Sequence, residues 1–250
     1  MSVGEQPPTT ELPQSFGSGE AIRRRIIAGV PSYNVESFVG EVVHGALEYV
    51  DEVVVVDDGS SDGTAEVARA AGAVVRSHEV NLGYGGAINS CFEAAREMDA
   101  DVLVILDGDG QHDSHEVPQI VSPALNGEAD VVIGSRFLDR NSDIPYYRRF
   151  GIHVITWLFN VGSKTKVTDS QSGYRAYGRK TIQLISLRER GMSASVEILI
   201  KARRKGLVFR EVPISCRYHA GSSSMNPVKQ GLAVAMKLVW MRLAGDGKSG

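Results

Sequence analysis

Short apolar runs recur along the chain as far as Gly134, each bounded by Gly, Asp, Ser or Pro and separated from the next by a longer segment with helical spacing. The runs predict strands over 26–30, 52–56, 73–77, 101–106 and 130–134, and the segments between them predict helices over 35–49, 64–71, 87–98 and 114–125. Strand and helix in alternation make an α/β chain with a mostly parallel central sheet, flanking helices and right-handed crossovers. The run Val102-Leu103-Val104-Ile105-Leu106 has no polar alternation, which is the pattern of a strand covered on both faces. It ends abruptly in Asp107-Gly108-Asp109-Gly110-Gln111-His112.

Beyond Gly134 the pattern changes. Residues 146–160 carry aromatic and aliphatic groups around most of a helix, with Arg148 and Arg149 at its start, so this helix is buried or rests on an apolar partner. A polar stretch over 167–177 feeds a short strand, helices follow over 179–187 and 195–205, and 207–214 is a strand in which Pro213 marks an edge or an end. Residues 217–227 form a basic, hydroxyl-rich loop, and 228–243 an amphipathic helix that suits a membrane interface or packs on the domain. At the other end, 1–22 are rich in Pro, Ser, Thr and Gly and are expected to be disordered. The organisation expected is therefore a lead-in over 1–22, a globular unit over 23–225, and a C-terminal amphipathic helix and tail over 226–250.

Composition narrows this picture. A chain of 250 residues can bury one α/β core, and a net charge of -3 offers no basic field, so nucleic acid is not an expected partner. Two cysteines far apart, Cys91 and Cys216, read as core residues in a reducing, cytosolic compartment. The start lacks a signal-peptide pattern and no apolar run is long enough to span a bilayer, which leaves peripheral attachment as the expected membrane contact.

Ligands of parallel sheets collect beyond the carboxyl ends of the strands, which is where Asp107 and Asp109 fall. Two hard oxygen donors suit Mg²⁺ or Mn²⁺ that still holds phosphate oxygens; the alternative is that Asp107 caps the next helix and Asp109 is solvated. Other polar groups fall at strand ends too: Tyr33 and Asn34, Asp57 in a stretch where Ser61 or Asp62 caps the following helix, and Arg136. Gly83, Gly85 and Gly86 lack dinucleotide-fingerprint spacing, which disfavours a dehydrogenase; that loop is expected to allow close packing with some ligand contact.

Six motifs occur in order: Pro31-x-Tyr33-Asn34; Val55-Val56-Asp57-Asp58-Gly59-Ser60-x-Asp62-Gly63-Thr64; Asn81-x-Gly83; Asp107 through His112; Gly134-Ser135-Arg136; and Asp169-x-x-Ser172-Gly173-Tyr174-Arg175. Together they resemble family-2 glycosyltransferases of the GT-A (nucleotide-diphospho-sugar transferase) fold, and within them the dolichyl- or polyprenyl-phosphate sugar synthases. The resemblance implies inverting transfer of one sugar from a UDP- or GDP-sugar to a polyprenyl phosphate at the cytosolic face of a membrane. It implies Mg²⁺ or Mn²⁺ on Asp107, Asp109 and Gln111, and a nucleotide-sugar site of Pro31, Tyr33, Val55, Asp57, Asp107, Gly108, Asp109 and Arg136. It further implies an acceptor-phosphate site of Arg149, Arg175, Arg217 and Ser224, with Asp109, Arg136, Asp169 and Arg175 as the catalytic set. Asp169 is either a base for a hydroxyl acceptor or the group that orients Arg175, and Glu197 is either structural, paired with an arginine, or part of the site. Two departures stand out: Val35 occupies a place where relatives often have Glu, and the late Arg-x-x-Gly-x-Ser-Lys pattern appears over 217–224 without its Lys. A glycan or other hydroxyl acceptor, and a nucleotide-binding protein without catalysis, are the competing expectations; sugar, nucleotide base and oligomeric state stay open.

Overall fold

The computed structural model describes residues 24–138, 144–163, 165–215 and 236–238. Its elements are β1 (Ile26–Ser32), α1 (Glu36–Leu47), β2 (Glu52–Asp57), α2 (Thr64–Ala70), β3 (Val74–Ser77), α3 (Tyr84–Glu97) and β4 (Val102–Ile105). A 3-10 turn (Ser114–Glu116) leads into α4 (Val117–Leu125), followed by β5 (Val131–Ser135), α5 (Tyr146–Asn160), β6 (Arg175–Gly178), α6 (Arg179–Leu184), α7 (Ala194–Arg204) and β7 (Phe209–Pro213). Among the described residues the strands form one sheet in the order β3-β2-β1-β4-β6-β5-β7. Every pairing is parallel except those of β6, which runs antiparallel between β4 and β5.

The unbroken apolar runs become strands with a core on each side. Ile27, Leu103, Ile105 and Ile133 face one cluster, completed by α3, α5 and α7. Their chain neighbours Ala28, Val104 and Val132 face a second, completed by α1 and α4. Alternate residues of a strand point to opposite faces, so a strand buried on both sides has no place for a polar residue until it leaves the sheet. Cys91 is wholly buried on α3, where burial pushes its thiol up, and a Cβ on Gly29 would fall 2.8 Å from its Cβ. The helix thus packs directly on β1, and Cys91 is a core residue.

Two helix boundaries differ from expectation. Helix α3 starts at Tyr84 and runs through Gly85 and Gly86, and a loop from the far half of the chain lies against Gly83 and Gly85: a Cβ on Gly85 would collide with the Glu189 carbonyl oxygen. Helix α6 ends at Leu184, where the Arg96 guanidinium takes the carbonyls of Ile182 and Ile185. The lead-in over 1–22 lies outside the described residues. So does most of 226–250, although residues 236–238 are helical, with Leu238 buried in the first cluster and Lys237 paired to Glu189 at 2.8 Å. No helix among the described residues is long and apolar enough to cross a membrane.

Candidate active site

The strands β1, β2, β4 and β5 point the same way, so Tyr33, Asp57, Asp107 and Arg136 leave the sheet at one edge, and the loop ahead of antiparallel β6 enters there. The loops after β1 and β2 are cross-linked. Asn34, in the left-handed region at φ 51°, accepts the Ser61 N–H at 2.8 Å, and Ser60 Oγ accepts the Asn34 N–H at 2.9 Å. Glu36, one position after the departure at Val35, accepts the Gly63 N–H at 3.1 Å. Asp62, at the start of α2, accepts the Thr64 N–H at 3.1 Å. Asp58 ties the glycine loop in, accepting the N–H groups of Leu82 and Gly83 and meeting His78 Nδ1 at 2.6 Å.

On this frame the residues expected to bind nucleotide divide. Tyr33 is half exposed at the rim, and Asp57 is buried beneath it with Oδ1 accepting the Ser60 N–H at 3.1 Å. Pro31 is buried and its carbonyl faces the Gly108 N–H at 3.4 Å. Val55 lies inside the second core cluster with no exposed surface, packed on the α1 side of the sheet.

Gly108 lets the acidic loop close onto β1, since a Cβ there would fall 2.5 Å from Ser32 Oγ. Asp107 keeps 32% of its side-chain surface, yet its Oδ1 is buried with no hydrogen-bond partner. Burial raises its carboxyl to about 6, against the pull of Arg136 and Arg175. Asp109 is also raised, by burial and then by Asp107. Its oxygens accept from Gln111, one from the backbone N–H at 3.1 Å and one from the side-chain amide. Asp107 caps no helix; the cap of the following turn is Asp113, whose side chain accepts the His115 N–H. Among the described residues no three His, Cys, Asp or Glu side chains converge on one point, so this is a two-carboxylate site. An orphaned buried oxygen on one of two adjoining carboxylates fits a divalent cation that brings its remaining ligands with it.

Arg136 reaches the same edge in the grip of Asp169. Its Nε donates to Oδ2 at 2.7 Å and one terminal nitrogen to Oδ1 at 2.9 Å, a fork that holds Asp169 below its ordinary range although burial opposes this. Asp169 therefore orients Arg136, not Arg175 as expected. Arg175 is 1% exposed and donates to the carbonyls of Ser195 at 2.7 Å and Ser170 at 2.9 Å, while its charge pulls on the Asp107 carboxyl. Arg149 is exposed on α5, 5.8 Å from the Phe137 ring centroid. Arg217 and Ser224 lie outside the described residues. Glu197 is structural: it accepts the N–H groups of Arg188 and Glu189 and pairs with Lys201 at 2.7 Å, a lysine where an arginine was expected.

Four further residues shape the site. His112 accepts the Asp107 N–H on Nδ1 at 3.1 Å and stacks on Tyr174 at 4.6 Å; burial lowers it to about 4, so the ring is neutral with its proton on Nε2. Tyr84 is raised well above its ordinary range, by burial and then by Asp107. A Cβ on Gly173 would fall 3.0 Å from Asp107 Oδ2 and 3.2 Å from the Tyr84 hydroxyl, so this glycine admits both. Glu211, on β7, accepts backbone N–H groups of Thr168 and Asp169. The one sequence signal for Glu211 is an acid that, with Arg210, interrupts an apolar strand pattern; Tyr84 offers none, because only the fold brings it to Asp107.

The chain has relatives along most of its length. It is 34% identical over 239 residues to an uncharacterised protein of Methanocaldococcus jannaschii, covering 92% of this chain and 97% of that one. It is 33% identical over 212 residues to the dolichyl-phosphate hexose transferase of Haloferax volcanii, covering 83% and 90%. Among solved structures it resembles glucosyl-3-phosphoglycerate synthase from Mycobacterium tuberculosis in complex with Mn²⁺, UDP and phosphoglyceric acid, with a TM-score of 0.68 at 22% identity over 91% of this chain and 80% of that one. That likeness establishes the GT-A fold expected from the motifs. The model of glycosyl transferase family 2 matches residues 28–185, the stretch that holds Asp57, Asp107, Asp109, Arg136 and Asp169, and the chain belongs to that family of glycosyltransferases.

Proposed function

We propose that the chain transfers one hexose or N-acetylhexosamine, with inversion, from a UDP- or GDP-sugar to a polyprenyl phosphate. Residues 23–225 form the catalytic unit in this reading, working at the cytosolic face of a membrane. Asp107 and Asp109 would hold Mg²⁺ or Mn²⁺, with Gln111 joining once its amide turns its oxygen towards the ion. The cation would neutralise the diphosphate as the glycosidic bond breaks. Tyr33 and Asp57 take the base and ribose, and Arg136 meets the diphosphate.

The observation that carries the phosphate acceptor is the state of Asp169. Deprotonating an acceptor hydroxyl needs a carboxylate with a free oxygen and a pKa near the working pH. Asp169 is held below its ordinary range, with both oxygens engaged by Arg136. A lipid phosphate is already an anion, so it needs cationic placement instead of a base. Arg149 supplies that at the mouth, with Arg217 and Ser224 as further partners. The relative named as a dolichyl-phosphate hexose transferase supports the same acceptor class.

The test is incubation with radiolabelled nucleotide-sugars, Mn²⁺ and polyprenyl phosphate. Sugar should pass to the organic phase, and Asp109→Asn should reduce transfer by at least about 100-fold while leaving the thermal transition in place. Lack of lipid-linked product from every common donor, or full activity of the variant, would overturn the proposal.

A further inference from the structure

We infer that Glu211 is a positioning residue for the transfer: from an edge strand it fixes the loop whose carboxylate aims Arg136. This rests on the donor site proposed above, in which Arg136 meets the diphosphate.

Glu211 stands opposite Ile133 in the pairing of β5 with β7, two positions before Ser135 at the strand end that delivers Arg136. Its Oε1 accepts the Thr168 N–H at 2.8 Å, the Thr168 hydroxyl at 3.0 Å and the Asp169 N–H at 3.1 Å. Its Oε2 shares the Thr168 N–H at 2.8 Å. Since the Thr168 hydroxyl proton goes to Glu211, the 2.6 Å contact between Ser135 Oγ and Thr168 Oγ1 must use the serine proton. Ser135 Oγ is then left as an acceptor, and it takes the Phe137 N–H at 3.2 Å. The residues on both sides of Arg136 and the residue that grips its guanidinium thus hang from one carboxylate. The Asp169 N–H and the Thr168 N–H both donate to Glu211, which anchors the backbone from which the Asp169 carboxylate reaches Arg136. A fork-to-fork pair demands that both planes be set, and losing the support of one lets the other swing.

A purely structural role would lower the fraction of folded enzyme, and so kcat, without changing any affinity. Positioning predicts something else. Calorimetric titration with UDP and with GDP, each with MnCl₂, should show about 10-fold weaker binding for Glu211→Ala, as expected when several hydrogen bonds that set one charged group are lost. The KM for polyprenyl phosphate should not change. Glu211→Gln, which keeps an oxygen where Oε1 stands, should stay within about threefold of the parent. In an Arg136→Ala background, Glu211→Ala should add less than about twofold, because the group it positions is gone. If Glu211→Ala does not fold, Glu211→Asp, whose carboxylate is one methylene too short, takes its place in the same comparison. Unchanged nucleotide affinity, or an equal loss in the Arg136→Ala background, overturns the inference and leaves the donor reading intact. A parent protein that binds neither nucleotide overturns the donor reading, and this inference with it.

Discussion

Asp107 carries a cost in the ligand-free protein that the proposed cation would remove. Its Oδ1 is buried without a partner, and its carboxyl is raised to about 6 from an ordinary value of 3.8. In the unfolded chain the group ionises first, so between about pH 4 and pH 6 the unfolded state holds fewer protons than the folded one. Ligand-free stability attributable to Asp107 therefore falls as pH rises through that window and stays low above it. A divalent cation binds only the ionised form. MnCl₂ should accordingly raise the melting temperature more at pH 7.5 than at pH 5. Asp107→Asn should abolish that metal-dependent rise, and should itself raise the ligand-free melting temperature at pH 7.5. Equal metal-induced shifts at the two pH values would mean that Asp107 is not a ligand. The importance of Asp107 could be read from the sequence, since an apolar run that stops at two acids places them at a strand end. Its raised carboxyl could not, because burial causes it, and Gly173, which lies against Asp107, comes from a loop far away in the chain.

At the scale of elements, the start of α3 shows what periodicity misses. Helical spacing pointed to a start at Ala87, since glycines disfavour helix interiors. The helix nevertheless begins at Tyr84, and Gly83 and Gly85 carry the loop over 188–190 against their bare backbones, with the Gly85 N–H donating to the Arg190 carbonyl at 2.7 Å. Glu197 holds the other side of that loop. Gly85→Ala would push methyl against a fixed carbonyl and should destabilise the fold by about 1–3 kcal/mol. Gly191→Ala, where an added Cβ meets nothing within 4 Å, should be close to neutral. Urea unfolding of the two variants makes the comparison, and equal midpoints would show that the loop yields freely. The strands, by contrast, were legible, since each buried run is a local property of the chain. The reversed strand β6 was seen only as a short strand after a polar loop, because its direction is set by pairing with β4 and β5, not by its own residues.

For the whole molecule, the shared ligand edge follows from alternation of strands and helices, and with it the convergence of Asp57, Asp107 and Arg136. The grip of Asp169 on Arg136 does not follow, because it spans 33 residues and needs the reversed strand to bring the loop back. The outer face of α5 is another feature that only the assembled fold decides. Apolar residues around most of that helix predicted burial or an apolar partner; one side is buried and the other is exposed. Ile155 and Phe159 enter the core, and buried Thr156 bonds Ser170 at 3.0 Å. Tyr146, Phe150 and Trp157 remain 90%, 72% and 66% exposed. Their spacing, with Val154 and Val161, puts them in one stripe along a helix about 22 Å long. The helix starts beside the site, with Arg149 over Phe137, the residue after Arg136. For the proposed lipid acceptor, this stripe would enter the membrane surface while Arg149 meets phosphate at headgroup level. Each large side chain that becomes fully buried contributes about 1.5–3 kcal/mol, so replacing Tyr146, Phe150 and Trp157 by Ser together should weaken vesicle binding by at least about 100-fold. Nucleotide affinity and the thermal transition should hold, since none of the three supports the core. Flotation with lipid vesicles, read beside nucleotide titration, makes this concrete: vesicle binding equal to that of the parent would detach α5 from the membrane, whereas loss of nucleotide binding as well would mean the stripe supports the site itself.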